Sequence, residues 1–315
     1  MPSSAVQVDT ARQEIRIVAG PFPIGEMSNA SADMKMMQTP VLRVAWPVSG
    51  WLRGYRVQLC DGDAAHGTAL PRAMVHHVGL ANYSRRELLY PMVERLIASG
   101  KETDGVLLPG NVGAPLERGD TLGLYSAFHD VDGQTVNLAY VILTLPWIPA
   151  GHGHPIDVLP FFVEVNCTIG GTSAYDLPPG RSERSAEFTM PLSGSILAIG
   201  GHMHDYALSI RLEDAESRRT LVKLNAKRTA NGQIITLGRR VFGFHEEGLL
   251  LLAHHRYRVV AEYLNPTSYV LRQGGMGMMA GAFVPDDVRE WPRLDSNSVD
   301  VQRDMASIGN HDMVQ

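Results

Sequence analysis

The chain is 315 residues long, 44% hydrophobic and 19% charged, enough apolar material for about two packed domains of roughly 150 residues each, which excludes wholesale disorder. Its 28 Lys+Arg against 33 Asp+Glu leave a net charge of −5 without a basic run, so nucleic acid is not an expected partner. Two cysteines exclude a cysteine-only zinc cluster and a disulfide-dense scaffold, whereas 12 histidines and 14 methionines make imidazole and thioether the expected metal ligands.

Asp9, Arg12, Glu14 and Arg16 stand where an export signal needs an uncharged core, so the cytoplasm is the expected compartment. From there, alternation of apolar and polar residues at period two predicts strands over Glu14 to Val18, Tyr55 to Leu59, Thr121 to Phe128, Thr135 to Leu145, Phe161 to Val165, Tyr206 to Leu212 and Arg256 to Leu264. One helix is expected between Ser84 and Gly100: Ser84-Arg85-Arg86-Glu87 has capping-box spacing, and Leu88, Leu89, Met92, Leu96 and Ile97 fall near one face, with Pro91 kinking or starting it. The longest mainly apolar run, Leu138 to Ala150, is too short for a membrane crossing and is broken by Pro146 and Pro149, so no membrane span is expected. The Pro- and Gly-broken stretch from Pro146 to Pro155 reads as a linker, and Pro285 to Gln315 as a charged, aperiodic tail that hugs the surface or frays. The expected class is mostly β, with sandwich domains. Residues 1–149 and 150–290 would form the two domains, and 291–315 the tail. Cys60 and Cys167 read as two buried thiols, with one bridge as the alternative.

Four local patterns carry candidate chemistry. In Met74-Val75-His76-His77-Val78-Gly79-Leu80, neighbouring residues of a regular strand would face opposite ways, so His76 and His77 share an ion only where the strand is bulged or ends. His129 closes the strand that starts at Thr121. In Gly200-Gly201-His202-Met203-His204-Asp205-Tyr206, residues two apart project from one face, so His202 and His204 offer two imidazoles to one ion, and Asp205 is placed to orient one of them. Gly274-Gly275-Met276-Gly277-Met278-Met279 clusters three thioethers, soft neutral donors that favour Cu(I). His152-Gly153-His154 reads as a surface loop, His254-His255 as a turn, Arg85-Arg86 and Arg239-Arg240 as solvated charge, and His66 and His311 are given no role.

A histidine pair, one histidine about fifty residues on, a His-x-His about seventy further and a late methionine cluster together resemble the copper type II, ascorbate-dependent monooxygenases, the group of the peptidylglycine-hydroxylating and dopamine β enzymes. The resemblance spans roughly Val41 to Val284. It implies two jelly-roll-like β-sandwich domains facing each other across a cleft, and two coppers per chain. His76, His77 and His129 would hold the copper that stores and passes an electron. His202, His204 and Met278, with Met276 and Met279 as alternatives to the methionine, would hold the copper that binds dioxygen and attacks a substrate C–H bond. Small-molecule substrate, dioxygen and a reductant such as ascorbate are the implied partners. The family's arginine two residues before His-x-His is Gly200 here, and its tyrosine four residues after the methionine falls on Ala282, so a peptide C-terminal glycine is not the expected substrate.

Two other readings use the same residues. A cupin-type mononuclear enzyme would hold zinc or iron on His202 and His204, but it needs a glutamate soon after them, and Glu213 lies far along the strand. A non-catalytic copper-binding or interaction protein would share the sandwich without turnover.

Overall fold

The computed structural model describes residues 2–24, 36–62, 67–100, 105–129, 135–243 and 248–308, with only the main chain at Met36 and His129. His66, His311 and the segment Asp130 to Gly133 lie outside the described residues. The protein is mostly β and divides into two compact units. None of its described helices is long and apolar enough to cross a membrane.

The first unit comprises the chain up to Arg85, Val93–Asp157 and, of the described chain end, Ser307 and Ile308. Its strands are β1 (Ser3–Asp9), β2 (Glu14–Ile24), β3 (Met36–Gln38), β4 (Leu42–Ala45), β5 (Gly50–Leu52), β6 (Gly54–Asp61), β7 (Thr68–Ala69), β8 (Val75–Arg86), β9 (Val93–Gly100), β10 (Gly105–Leu107), β11 (Val112–Leu116), β12 (Thr121–His129), β13 (Val136–Pro149) and β14 (Ile156–Asp157). A nine-stranded sheet runs β1-β2-β13-β5-β11-β14, with β6 also on β13 and β7 and β10 on β6; a five-stranded sheet runs β3-β12-β8-β9, with β4 on β12. The period-two faces of both sheets meet in one core: Ile15, Ile17, Val141 and Leu143 from the larger, Val78, Leu80, Leu122 and Phe128 from the smaller.

The second unit comprises Arg86–Met92 and Val158–Ala306. Its strands are β15 (Leu159–Glu164), β16 (Tyr175–Leu177), β17 (Gly180–Thr189), β18 (Gly194–Met203), β19 (Ala207–Asp214), β20 (Thr220–Arg228), β21 (Ile234–Leu237), β22 (Arg240–Val241), β23 (Leu249–Leu251), β24 (Arg256–Asn265), β25 (Leu271–Gly275) and β26 (Gly277–Pro285). Sheet β15-β26-β18-β22, with β23 on β18, and sheet β17-β24-β19-β20-β21 share a core of Phe161, Val163, Ile199, Met279 and Phe283 from one and Ile210, Leu212, Val259 and Tyr263 from the other; β16 and β25 pair separately.

The strands expected from alternation are all present. The helix expected over Ser84 to Gly100 is not: β8 and β9 are paired strands, and the Glu87 N–H bonds the Met92 carbonyl to close the turn between them. Ser84 Oγ accepts the Thr121 N–H at 3.0 Å instead of capping a helix. The helical spacing arose from residues with separate destinations, since Leu88 belongs to the core of the second unit and Ile97 to that of the first. The supposed linker is also structured as far as Pro149, where Trp147 and Ile148 pair with Leu52 and Trp51.

The segment expected to hug the surface or fray includes a built element. Trp291 lies in the second core and donates Nε1–H to the Arg86 carbonyl at 2.9 Å. A helix α1 (Val299–Ser307) follows, with Val301 and Asp304 buried. Its few apolar positions are too sparse to register as a periodic stripe.

Candidate metal centres

In the first unit the histidine pair sits at a bulge. Ala127 of β12 opposes His77 and Phe128 opposes Val75, so His76 is the extra residue on β8. An extra residue turns the local strand and lets neighbours lean toward one side. The two rings lie with centroids 5.1 Å apart and planes at 55°. An ion about 2.0–2.1 Å from each ring nitrogen sits on the order of 3 Å from each ring centre, so two rings sharing it have centres within about 6 Å. The pair meets that limit.

Tyr125 braces the same place. Its ring stands edge-on to His77, centroids 5.9 Å apart, and covers Gly79, whose Cβ would fall 2.2 Å from Tyr125 Cζ. The main chain of His129 lies on β12 two residues beyond Ala127 and pairs with Met36. The third expected ligand is therefore on the strand next to the bulge, its side chain outside the described residues.

In the second unit β18 runs between β26 and the short β22 and β23. The register sets His202 directly opposite Met278, Gly201 opposite Met279 and Met203 opposite Gly277. Opposed residues of an antiparallel pair share a face, with Cβ atoms about 4.5–5.5 Å apart. His204 follows just past the strand, and the His202 and His204 rings have centroids 5.5 Å apart at 80°, within the same limit for a shared ion. Both residues and Met278 are half-buried.

The alternation that unites these three rejects one alternative. Met279 is fully buried in the core on the other face, so it is not a partner of His202. Met276 lies at the break between β25 and β26, where its main chain is bonded to the Tyr263 hydroxyl. Tyr263, 1% exposed, also accepts the His204 N–H at 3.0 Å. Burial pushes its hydroxyl up to about 12, so it stays protonated at neutral pH.

Among the described residues, no three His, Cys, Asp or Glu side chains converge as a metal-binding group. The first centre accordingly needs His129, and the second needs a thioether. Two imidazoles are neutral donors that suit copper among other transition metals, and a thioether is a soft donor that favours Cu(I); the set disfavours hard ions.

No family model matches this chain, and no curated protein matches it either. Among solved structures, it is similar to the major capsid protein P2 from bacteriophage PM2, at 8% identity and a TM-score of 0.36, covering 87% of this chain and 98% of that one. A chain of the Sputnik virophage gives 9% identity, a TM-score of 0.26 and coverage of 90% and 85%. The mavirus major capsid protein gives 9%, 0.25, and coverage of 90% and 89%. Scores of this size do not establish a common fold.

The remaining candidates have structural places. Asp205 Oδ1 accepts the Ile234 N–H at 2.9 Å, tying the His-x-His turn to β21. His255 Nε2 meets Asp214 Oδ2 at 2.6 Å, and His254 has φ 62°, as expected of a turn. His152 and His154 are exposed, the latter edge-on to Trp51 at 5.6 Å. Arg85 is not solvated charge: it pairs with buried Glu94 at 3.4 Å, and burial pushes that carboxyl up against the pull of Arg85. Arg86 donates to the Glu87 carbonyl, while Arg239 and Arg240 are exposed. Glu213 is bound by Arg211 at 2.5 Å and Arg258 at 3.2 Å, which engages the carboxylate a cupin would need. Cys60 and Cys167 are both thiols.

Sequence reasoning missed Tyr263 and Tyr125. Tyr263 shares the parity of the core residues Val259 and Ala261 in β24, where a tyrosine reads as core, and its hydroxyl contacts are to main-chain atoms distant in sequence; Tyr125, out of phase with Leu122 and Leu124 in β12, meets His77 through a ring contact between strands.

Proposed function

We propose that the chain is a copper-dependent monooxygenase that hydroxylates a C–H bond of a small organic substrate with dioxygen and a reductant such as ascorbate. His76, His77 and His129 would hold one copper and His202, His204 and Met278 another, on jelly-roll-like sandwiches facing each other across a cleft. The observation that carries this reading is the direct opposition of His202 and Met278, with the His204 ring leaning to within 5.5 Å of that of His202.

Copper so held supplies one-electron redox chemistry toward dioxygen. The residues around it have separable tasks. The bulge at His76 gathers two imidazoles on one strand, and three imidazoles suit either oxidation state. Met203 and Met279 pack on the core side of β18 and β26, keeping the inner face of the sheet apolar. On the face shared by His202 and Met278, Gly200 opposes Ala280 and Ala198 opposes Ala282. Those four side chains are no larger than a methyl, and they are flanked by larger ones: Phe162 opposes Ala280 on β15, and Arg239 Cγ lies 3.7 Å from where a Cβ on Gly200 would stand.

Cu(I) titration of the apoprotein tests the reading. Two equivalents are expected, one lost in the double variant His76→Ala/His77→Ala and the other in His202→Ala/His204→Ala, with ascorbate-dependent oxygen uptake lost in both. One equivalent would point to a mononuclear enzyme, two without oxygen uptake to a copper-binding protein, and none would overturn the metal assignment altogether.

A further inference from the structure

The ladder between β18 and β26 stops at Met203 and Gly277, and its next pair would be His204 and Met276. In that place stands the Tyr263 hydroxyl. It accepts the His204 N–H at 3.0 Å and the Met276 N–H at 3.1 Å, and it donates to the Met276 carbonyl. A phenolic hydroxyl has one donor and two acceptor positions, so all three are filled, and all three by main chain.

The ring that carries this hydroxyl is fixed. Tyr263 belongs to β24 of the facing sheet, is 1% exposed, and stands edge-on to Tyr175 with centroids 6.3 Å apart. The His204 end of the clamp is held on its other side as well: the Ala207 N–H bonds the His204 carbonyl at 3.3 Å, and Tyr206, at φ 67°, bonds its own N–H to Gly232 at 2.8 Å. A flat strand would carry His202 and His204 in parallel along one face. Here the hydroxyl wedge ends the pairing just where His204 begins, and the two rings turn to 80°.

We propose that Tyr263 is the positioning residue of the second copper site. Its hydroxyl, inserted between the His204 and Met276 main chains, sets the spacing of His204 and of the methionine strand relative to His202. The inference rests on the His202, His204 and Met278 assignment. Tyr263 is not a ligand; it acts through the backbone of residues that are.

Tyr263→Phe tests it, with Tyr257→Phe as control. Tyr257 lies on the same strand six residues from Tyr263, is 4% exposed, loses one comparable bond, from the Leu252 N–H at 2.9 Å, and stands edge-on to His255, a histidine outside the proposed ligand set. Affinity is read by competition with bicinchoninic acid for Cu(I), geometry by X-ray absorption of the reduced protein, and stability by thermal unfolding. Tyr263→Phe is expected to weaken one of the two Cu(I) sites about 10- to 100-fold, the usual effect of removing a group that orients a ligand, and to diminish the sulfur signal. Tyr257→Phe is expected to lower the melting temperature alone. Wild-type affinity and sulfur signal in Tyr263→Phe would reduce the hydroxyl to a structural bond and overturn the proposal, leaving the copper reading intact. A wild-type protein that binds no Cu(I) at His202 and His204 overturns both. Should Tyr263→Phe not fold, Tyr175→Leu removes the ring on which Tyr263 leans while keeping the hydroxyl; a weaker loss of affinity in the same direction supports the clamp, and unchanged affinity contradicts it.

Discussion

His202 and Met278 are directly opposed residues of one antiparallel ladder, so an imidazole and a thioether leave the same face of the same sheet. The seventy-five intervening positions of chain matter less than this single register, because a shift by one residue would exchange Met278 for the core residue Met279.

The register depends on Gly201. A Cβ there would fall 2.6 Å from the Met278 carbonyl oxygen and 3.0 Å from Leu237 Cδ2, so Gly201→Ala must push β26 away. Overpacking of this kind costs about 1–3 kcal/mol, and one Cu(I) equivalent should be lost with it. At Gly200 the nearest atom to a new Cβ is Arg239 Cγ at 3.7 Å. Gly200→Ala is therefore expected to leave both stability and copper uptake near wild type, as measured by denaturation and titration.

The first centre makes a parallel prediction. Gly79→Ala drives a methyl into the Tyr125 ring, which then leaves its seat against His77. Its cost is again about 1–3 kcal/mol, with loss of the His76/His77 equivalent. Tyr125→Ala empties the space, so Gly79→Ala combined with Tyr125→Ala should be less destabilised than the sum of the two single changes. Strict additivity in a double-mutant cycle would contradict the contact.

Acid stability should report on Asp214. The Ser217 main-chain N–H at 2.7 Å, His255 at 2.6 Å and the Ser217 hydroxyl at 2.8 Å hold its carboxyl well below the usual carboxylate range. A carboxyl whose folded value is depressed stabilises the protein above its unfolded value, about 3.9 for aspartate, and that contribution fades as pH falls. Asp214→Asn should lower the melting temperature at pH 7, and the gap to wild type should close as the pH is taken below about 4. A gap constant with pH would show that the bonds do not need the charge.

The chain end is predicted to be structural. Trp291 packs in the second core against Phe283, centroids 6.5 Å apart, and bonds the Arg86 carbonyl. Trp291→Ala should cost about 3–5 kcal/mol, the range for removing a buried aromatic side chain, as measured by urea unfolding; a cost below about 1 kcal/mol would return the segment to the surface.

The strands were legible because their signal is local. In Arg256 to Leu264, the core residues Tyr257, Val259, Ala261 and Tyr263 can be read directly off period two, although Val260 and Glu262 at the alternate positions are buried as well. The false helix shows the limit. Leu88 and Ile97 are apolar for the sake of different cores, a fact of tertiary structure that mimics a helical stripe in one dimension. At the candidate sites, residue types and the two-apart logic of His202 and His204 were readable. The bulge at His76 appeared only as a condition, since Ala127 and Phe128 decide it from fifty residues away. The choice of Met278 over Met279 came from resemblance, and the sheet supplies its reason: only one of two consecutive methionines can face His202. The role of Tyr263 was beyond reach, because its partners are main-chain groups fifty-nine and thirteen residues away.

X-ray absorption at the copper edge of the ascorbate-reduced, fully loaded protein tests the central claim most directly. The wild type should show nitrogen scatterers from imidazoles together with a sulfur shell from one of two coppers, and Met278→Ala should lose the sulfur while keeping the nitrogen. A wild-type spectrum without sulfur, or a sulfur shell that survives Met278→Ala, would contradict the pairing of His202 with Met278 as metal ligands.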